Sequence, residues 1–110
     1  VKGVAVAPAE LEDLLLGHEL VVDVAVIGRP NDYAGELPKA FVVLKQGVKP
    51  SEETANVLQR FVQEKKSKNK WLAGGIEFID AIPKSASEKI IRRMLRDQEK
   101  AKAQATKARL

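Results

Sequence analysis

The sequence predicts an α+β fold: a small, mostly antiparallel sheet, a two-stranded hairpin plus further short strands, packed with about three helices. Three observations predict it. Apolar residues recur at helical spacing in three separate stretches, marked by Leu11, Leu14 and Leu15, by Val57, Leu58, Phe61 and Val62, and by Ile90, Ile91, Met94 and Leu95. Two β-branched runs, residues 21–27 and 37–45, flank a short connection rich in turn residues. With 110 residues, of which 45% are hydrophobic and 31% charged, the chain has the balance of one folded domain rather than a disordered segment.

The elements follow in order. Val4, Ala5 and Val6 read as a short strand. Pro8 suits the first position of a helix, where its missing N–H costs nothing, and Glu10, Glu12 and Asp13 place negative charge in the early turns. This helix is predicted over residues 8–16, with Gly17 as its C-cap. Residues 21–27 form a strand in which Val22, Val24 and Val26 share one face and Asp23 points to the other. Residues 28–35, with Pro30, Asn31, Asp32 and Gly35, make a turn-rich connection to an antiparallel strand over 37–45. Pro38 belongs near that strand's start or on an edge, since it has no N–H for a ladder. Ser51 is a good N-cap, with Glu52 and Glu53 behind it, for a helix that fades into the run Lys65, Lys66, Lys68 and Lys70. Residues 76–80 form another strand after Gly74 and Gly75, residues 83–87 a loop, and a last helix is expected to start near Ser87. Its apolar stripe stops at Leu95. Residues 97–110 are helix-prone but have only alanines to bury, so an exposed, fraying tail is expected beyond a domain spanning 1–96.

Composition excludes several functions. A domain of this size builds one modest core, with little room for both a deep substrate pocket and a nucleotide site, so chemistry shared with another domain is expected. The net charge of +4 collects in the 65–70 run and from Lys89 to Arg109, and reads as solvated lysine faces and a mobile tail. The five aromatics are scattered, with no stacking platform, so no nucleic-acid partner is expected. The absence of cysteine excludes disulfides and cysteine zinc sites, and the single His18 cannot build a multi-histidine metal site. His18 follows a helix end, where a structural or neutral role is expected. No run reaches membrane-span length, because the longest apolar stretch, residues 20–27, is short and interrupted by Asp23. No signal peptide opens the chain, and a first residue of Val1 fits a piece of something longer.

One local feature breaks a rule. Lys84 and Lys89 fall in or just before the predicted first turn of the last helix, where the dipole mildly disfavours cations by about 0.3–1 kcal/mol each. Such a basic turn makes sense if it meets an anion. The run Pro83-Lys84-Ser85-Ala86-Ser87-Glu88-Lys89-Ile90-Ile91-Arg92-Arg93 resembles the signature Pro-Lys-(Ser/Thr)-x-Ser-Gly-Lys-(Ile/Leu)-x-Arg-(Arg/Lys) of the adenylate-forming superfamily, which holds acyl-CoA synthetases, 4-coumarate–CoA ligases, firefly-type luciferases and peptide-synthetase adenylation domains. Lys2-Gly3-Val4-Ala5-Val6-Ala7-Pro8-Ala9-Glu10-Leu11-Glu12 is similar to its Lys-Gly-x-Gln-Val-x-Pro-x-Glu-(Leu/Ile)-Glu. Val24-Ala25-Val26-Ile27-Gly28 and Gly35-Glu36-Leu37-Pro38-Lys39-Ala40-Phe41-Val42-Val43 resemble two further segments, in the family's order.

The resemblance implies the C-terminal lid domain of an acid–CoA ligase. A large N-terminal domain of the same chain would bind ATP, Mg2+ and the carboxylic acid, and the lid alone would be inactive with nothing bound. Lys89 matches the family's lysine that reaches the carboxylate and the α-phosphate during acyl-adenylate formation, where a preorganised cation offsets the repulsion of two anions. Lys84 and Ser87 fall on the same turn and are implied to contact the cofactor. Lys2, Gly3, Val4 and Ala5 match the post-hinge segment (residues 1–7) that lines the CoA pantetheine tunnel after the lid rotates for thioester formation. Arg92 and Arg93 match the basic pair that follows; a solvated helix face is expected for them, with CoA phosphates or the large domain as the functional alternative. Tyr33 and Trp71 are expected to be loop packing.

Two positions depart from the pattern. Glu88 stands where the family has glycine, often kept where φ is positive, and its carboxylate could pair with Lys89. Ala5 stands where the family has glutamine. They leave open an alternative: a catalytically degenerate lid that acts as a regulatory or interaction module. Ala108-Arg109-Leu110 resembles a variant of the Ser-Lys-Leu peroxisomal address, so a peroxisomal import receptor is an expected partner and the peroxisome an expected location, with the cytoplasm otherwise.

Overall fold

The structure is a computed structural model, and it describes residues 7–31 and 35–108. Three helices, α1 (Pro8–Leu16), α2 (Glu52–Lys65) and α3 (Arg92–Ala108), pack with three strands, β1 (Val21–Asn31), β2 (Gly35–Leu44) and β3 (Gly75–Phe78). This is the expected α+β class. The strands are ordered β1-β2-β3, with β1 and β2 antiparallel and β2 and β3 parallel. The parallel pair needs the long crossover that α2 supplies. The expected strand at residues 4–6 lies outside the described residues, as do Tyr33, Arg109 and Leu110.

Both faces of the sheet are covered. Val24 and Val26 of β1 and Ala40 and Val42 of β2 join Leu11, Leu15, Leu58 and Val62 of α1 and α2 in one core. The intervening residues Ala25, Ile27 and Phe41 form a second core with Ile82 and with Leu95 of α3. Alternation along the strands sends successive side chains to opposite layers, so β1 and β2 are apolar on both faces.

Several elements begin as the chemistry dictates. Pro8 opens α1, and the Ser51 Oγ accepts from the Thr54 N–H at 3.2 Å at the start of α2. Gly17 closes α1 in the right-handed region, φ −78°, so this cap does not need a glycine's left-handed freedom. Gly75 does, at φ 103°, and a Cβ on Gly74 would lie 2.8 Å from the Pro38 carbonyl. Pro38 sits in the central strand, opposite Gly28, but β3 begins across from Lys39. No third-strand ladder therefore asks Pro38 for an N–H.

Three expectations change. β1 runs on through residues 28–31, pairing Gly28 with Pro38 and Asn31 with Gly35, so most of the expected connection is hairpin. A register shift between Val21 and Asp23 bulges Val22 outward, and Val22 is 55% exposed although Val24 and Val26 are buried. Finally, α3 starts at Arg92 instead of near Ser87. Ile90 pairs as a bridge with Lys84 and packs against the second core, so the isoleucines that mimic a helical stripe belong to an extended arm. α3 then runs unbroken past residue 97, and Glu99, expected in an exposed tail, is buried.

Candidate functional site

The site is the turn between Pro83 and Ile91. Two backbone hydrogen bonds, Ile91 N–H to the Pro83 carbonyl at 2.9 Å and Ser85 N–H to the Lys89 carbonyl at 2.8 Å, flank the Lys84–Ile90 bridge. Glu88 N–H donates to the Ser85 carbonyl at 2.9 Å, closing the tip, and Lys89 N–H donates to the Ser85 Oγ at 3.3 Å. The Ser85 and Ser87 hydroxyls are 3.1 Å apart. Lys89 therefore sits on a hairpin three residues ahead of α3, not in the first turn of a helix, and the expected conflict with the dipole does not arise. Glu88, at φ 65°, is the one non-glycine residue with positive φ among the described residues. The family's glycine at that place thus has a physical reason here.

The two lysines have different surroundings. Lys84 Nζ lies 2.7 Å from Asp23 Oδ2. Its hydrogen bond to Asp23, with added pull from the Asp23 and Glu88 charges, holds the ammonium above its usual range against the opposing effect of desolvation. Lys89 is exposed, and among the described residues its ammonium has no hydrogen bond or ion pair. No ion pair forms between Lys89 and Glu88, whose charge acts on Lys84 instead. Ser87 is exposed beside it. Lys2, Gly3, Val4 and Ala5 lie outside the described residues.

Arg92 is not on a solvated face. Its Nε and Nη2 donate to the two oxygens of buried Glu12 at 3.2 and 2.5 Å, and Glu12 Oε2 also accepts from the Val26 N–H at 2.8 Å. Glu12 thus satisfies an amide on the free edge of β1 and ties α1 to α3 around it. Arg93 is exposed. Much of the basic run is paired: Lys66 and Lys70 reach Glu10 at 3.3 and 2.6 Å, and hydrogen bonds from Lys70 and then Lys66 hold the Glu10 carboxyl below its usual range. Trp71 Nε1 donates to the Lys66 carbonyl at 2.9 Å, the loop packing expected of it. His18 Nδ1 accepts from the Leu20 N–H at 3.1 Å, and its ring stands edge-on to Phe61 at 4.8 Å, a structural role. Neither of two shallow depressions, about 290 and 230 Å³, is lined by Lys89.

Sequence reasoning missed Asp23 and Glu12 as parts of this arrangement. The available signal was an aspartate interrupting a β-branched run, and a glutamate one helical turn from a buried leucine.

The fold and site define a class: a small α+β domain that presents an exposed lysine, unpaired among the described residues, on a hydrogen-bonded surface turn. The chain belongs to the family described as AMP-binding enzyme C-terminal domain, whose family model matches residues 10–89. It is 44% identical over 106 residues to an acyl-CoA ligase of Purpureocillium lilacinum, covering 96% of this chain and 28% of that protein. It is 47% identical over 95 residues to luciferin 4-monooxygenase of Photuris pensylvanica, covering 86% and 17%. Among solved structures, an anthranilate CoA ligase in complex with anthranoyl-AMP superposes with a TM-score of 0.83 at 37% identity, over 94% of this chain and 20% of that one. An acyl-CoA synthetase of Brucella canis gives a TM-score of 0.82 at 35% identity, over 87% and 18%. The chain thus spans less than a third of the length of these relatives.

Proposed function

We propose that the chain is the C-terminal lid of an AMP-forming acyl- or aryl-CoA ligase, which joins an acid to CoA through an acyl-adenylate. The observation that carries this reading is the exposed Lys89 ammonium, without a partner among the described residues, at the end of a hydrogen-bonded turn. Adenylation brings a carboxylate against a phosphate and builds negative charge as pyrophosphate leaves. A cation held by a preformed turn stabilises that charge without reorganising. Lys84, already neutralised by Asp23, has little left to offer an anion, and Ser87 is the nearer candidate for a hydroxyl contact. The partner is a large adenylation domain of the same chain, which would supply the ATP and acid sites. Residues 2–5, and with them the contact to CoA, stay part of the proposal on the sequence pattern.

Among the described residues no three His, Cys, Asp or Glu side chains converge as a magnesium site would ask of this domain alone. Magnesium is assigned to the large domain, and no step here passes through it. The alternative of a degenerate interaction module gains no support from the relatives, which are ligases and a luciferase enzyme.

The test is acid-dependent ATP–pyrophosphate exchange by the domain assembled with a large adenylation domain. Lys89→Ala should lower exchange by about 10²–10³-fold, as loss of one preorganised charge-stabilising donor does. Unchanged exchange would remove Lys89 from the role. Peroxisomal delivery is a separate part of the proposal and rests on Ala108-Arg109-Leu110. A fluorescent reporter ending in that tripeptide should collect in peroxisomes through the import receptor; diffuse signal would end the idea.

A further inference from the structure

We propose that Asp23 is a positioning residue for Lys89, acting through Lys84 as a strut; the proposal rests on the reading of Lys89 as the adenylation lysine. The argument starts at the β1 bulge. Asp23 follows the bulged Val22, and alternation along β1 places it on the face that carries Ala25 and Ile27, the side of the sheet on which the 83–91 segment lies. One carboxylate oxygen is fixed by the Val24 N–H at 2.9 Å, which leaves the other, Oδ2, aimed at Lys84 Nζ at 2.7 Å. Lys84 is in turn locked to Ile90 across the hairpin, and Ile90 adjoins Lys89.

A continuous path therefore runs from an edge strand to the free ammonium: bulge, carboxylate, Lys84 side chain, bridge, Lys89. Among the described residues, the remainder of the turn is held by its own short-range hydrogen bonds, within residues 83–91. Those bonds define the turn's shape, but not its direction relative to the sheet. Ile82 and Arg92 anchor its two ends, and within the turn partial burial of Ile90 and the Asp23–Lys84 pair aim it. Such a device is useful because a displacement of about 1 Å at a reacting group costs up to about a hundredfold in rate. The two lysines of the motif then divide the labour: Lys84 is spent within the fold, and Lys89 is left for the substrate. This withdraws Lys84 from direct cofactor contact.

The experiment has two arms. In the 110-residue chain, Asp23→Asn and Lys84→Met should each lower the heteronuclear NOE of the Ser87, Glu88 and Lys89 amides. The melting temperature should stay within a few degrees, because the pair is partly exposed. In the assembled enzyme, Asp23→Asn should lower the adenylation kcat about ten- to a hundredfold with the KM for ATP within about twofold. It should cause no further loss in a Lys89→Ala background, and Asp23→Lys combined with Lys84→Asp should recover most of the rate. A turn that stays ordered in Asp23→Asn overturns the strut. Equal losses with and without Lys89 also overturn it, since Asp23 would then act elsewhere. If Lys89→Ala alone leaves the rate intact, the adenylation reading falls and the catalytic consequence falls with it, while the NOE arm still decides whether the strut exists.

Discussion

At the scale of single residues, Glu88 sets two costs against each other. Its φ of 65° places Cβ near the carbonyl oxygen, at about 1–2 kcal/mol for a non-glycine residue. Glycine would relieve that strain but would lose about 0.5–1 kcal/mol of extra conformational freedom on folding. The strain is the larger, so Glu88→Gly should stabilise the chain by about 0.5–1 kcal/mol, while Glu88→Ala, which keeps the Cβ, should not. Urea midpoints of the two variants check this; equal midpoints would mean the turn relaxes away from positive φ at no cost. This position was legible in the sequence, because the family pattern holds glycine there and glycine at a tight turn implies positive φ. The role of Asp23 was not, since its partner is 61 residues away and only the fold brings them together.

At the scale of elements, α3 is held in an unusual way. Leu95 is its one fully buried apolar residue among the described residues, and Met94 is 48% exposed. One turn on from Leu95, Glu99 is buried against Lys39 of β2, with side chains 9% and 10% exposed. Lys39 also reaches Glu77 of β3 at 3.1 Å, Lys102 bonds Glu77, and Arg29 lies 3.8 Å from Glu99. Ion pairs from all three strands thus replace the apolar stripe that the sequence shows ending at Leu95. Periodicity could not reveal this, because a buried glutamate looks like any polar residue until its cation is known. Removing one partner of a buried pair costs about 3–5 kcal/mol when the other is stranded. Lys39 keeps Glu77, so Glu99→Leu should cost less, about 2–3 kcal/mol. Lys39→Met should cost a similar amount, and the double variant should return to within about 1 kcal/mol of the parent. Thermal melts of the four proteins complete the cycle, and additive losses would show that the two residues act independently.

At the scale of the whole molecule, the fold follows from two apolar strands sandwiched between helices, and that much was readable from residues 21–27 and 37–45 alone. The parallel placement of β3 was not, because a connection of 30 residues, 45–74, permits either edge and either direction. The same architecture spreads ion pairs over every junction: Glu10 with Lys66 and Lys70 joins α1 to the 66–70 segment, Glu12 with Arg92 joins α1 to α3, Asp23 with Lys84 anchors the turn, and Glu77 with Lys39 and Lys102 joins the sheet to α3. Burial would raise the Glu77 carboxyl, but hydrogen bonds from Lys102 and Lys39 outweigh it and hold the group below its ordinary 4.5. A carboxyl depressed by folding contributes stability in full above its unfolded pKa, and loses it as pH falls through the folded value. For Lys102, desolvation opposes the shift, but the Glu77 hydrogen bond and charge raise the ammonium above 10.5. That contribution is full below the unfolded pKa and is lost as pH rises through the folded one. Stability should therefore be level between about pH 5 and 10, and fall on both sides. The acid limb should steepen as protonation of the 15 acidic residues leaves the 19 basic ones to repel each other. Urea midpoints from pH 3 to 11 at low and high salt check this. Glu77→Gln should lower the plateau and shrink the acid limb, since its neutral amide no longer titrates. Salt should weaken the partly exposed Glu10 and Asp23 pairs more than the buried Lys39 cluster. An acid limb identical in parent and Glu77→Gln would show that this carboxylate does not couple the sheet to α3.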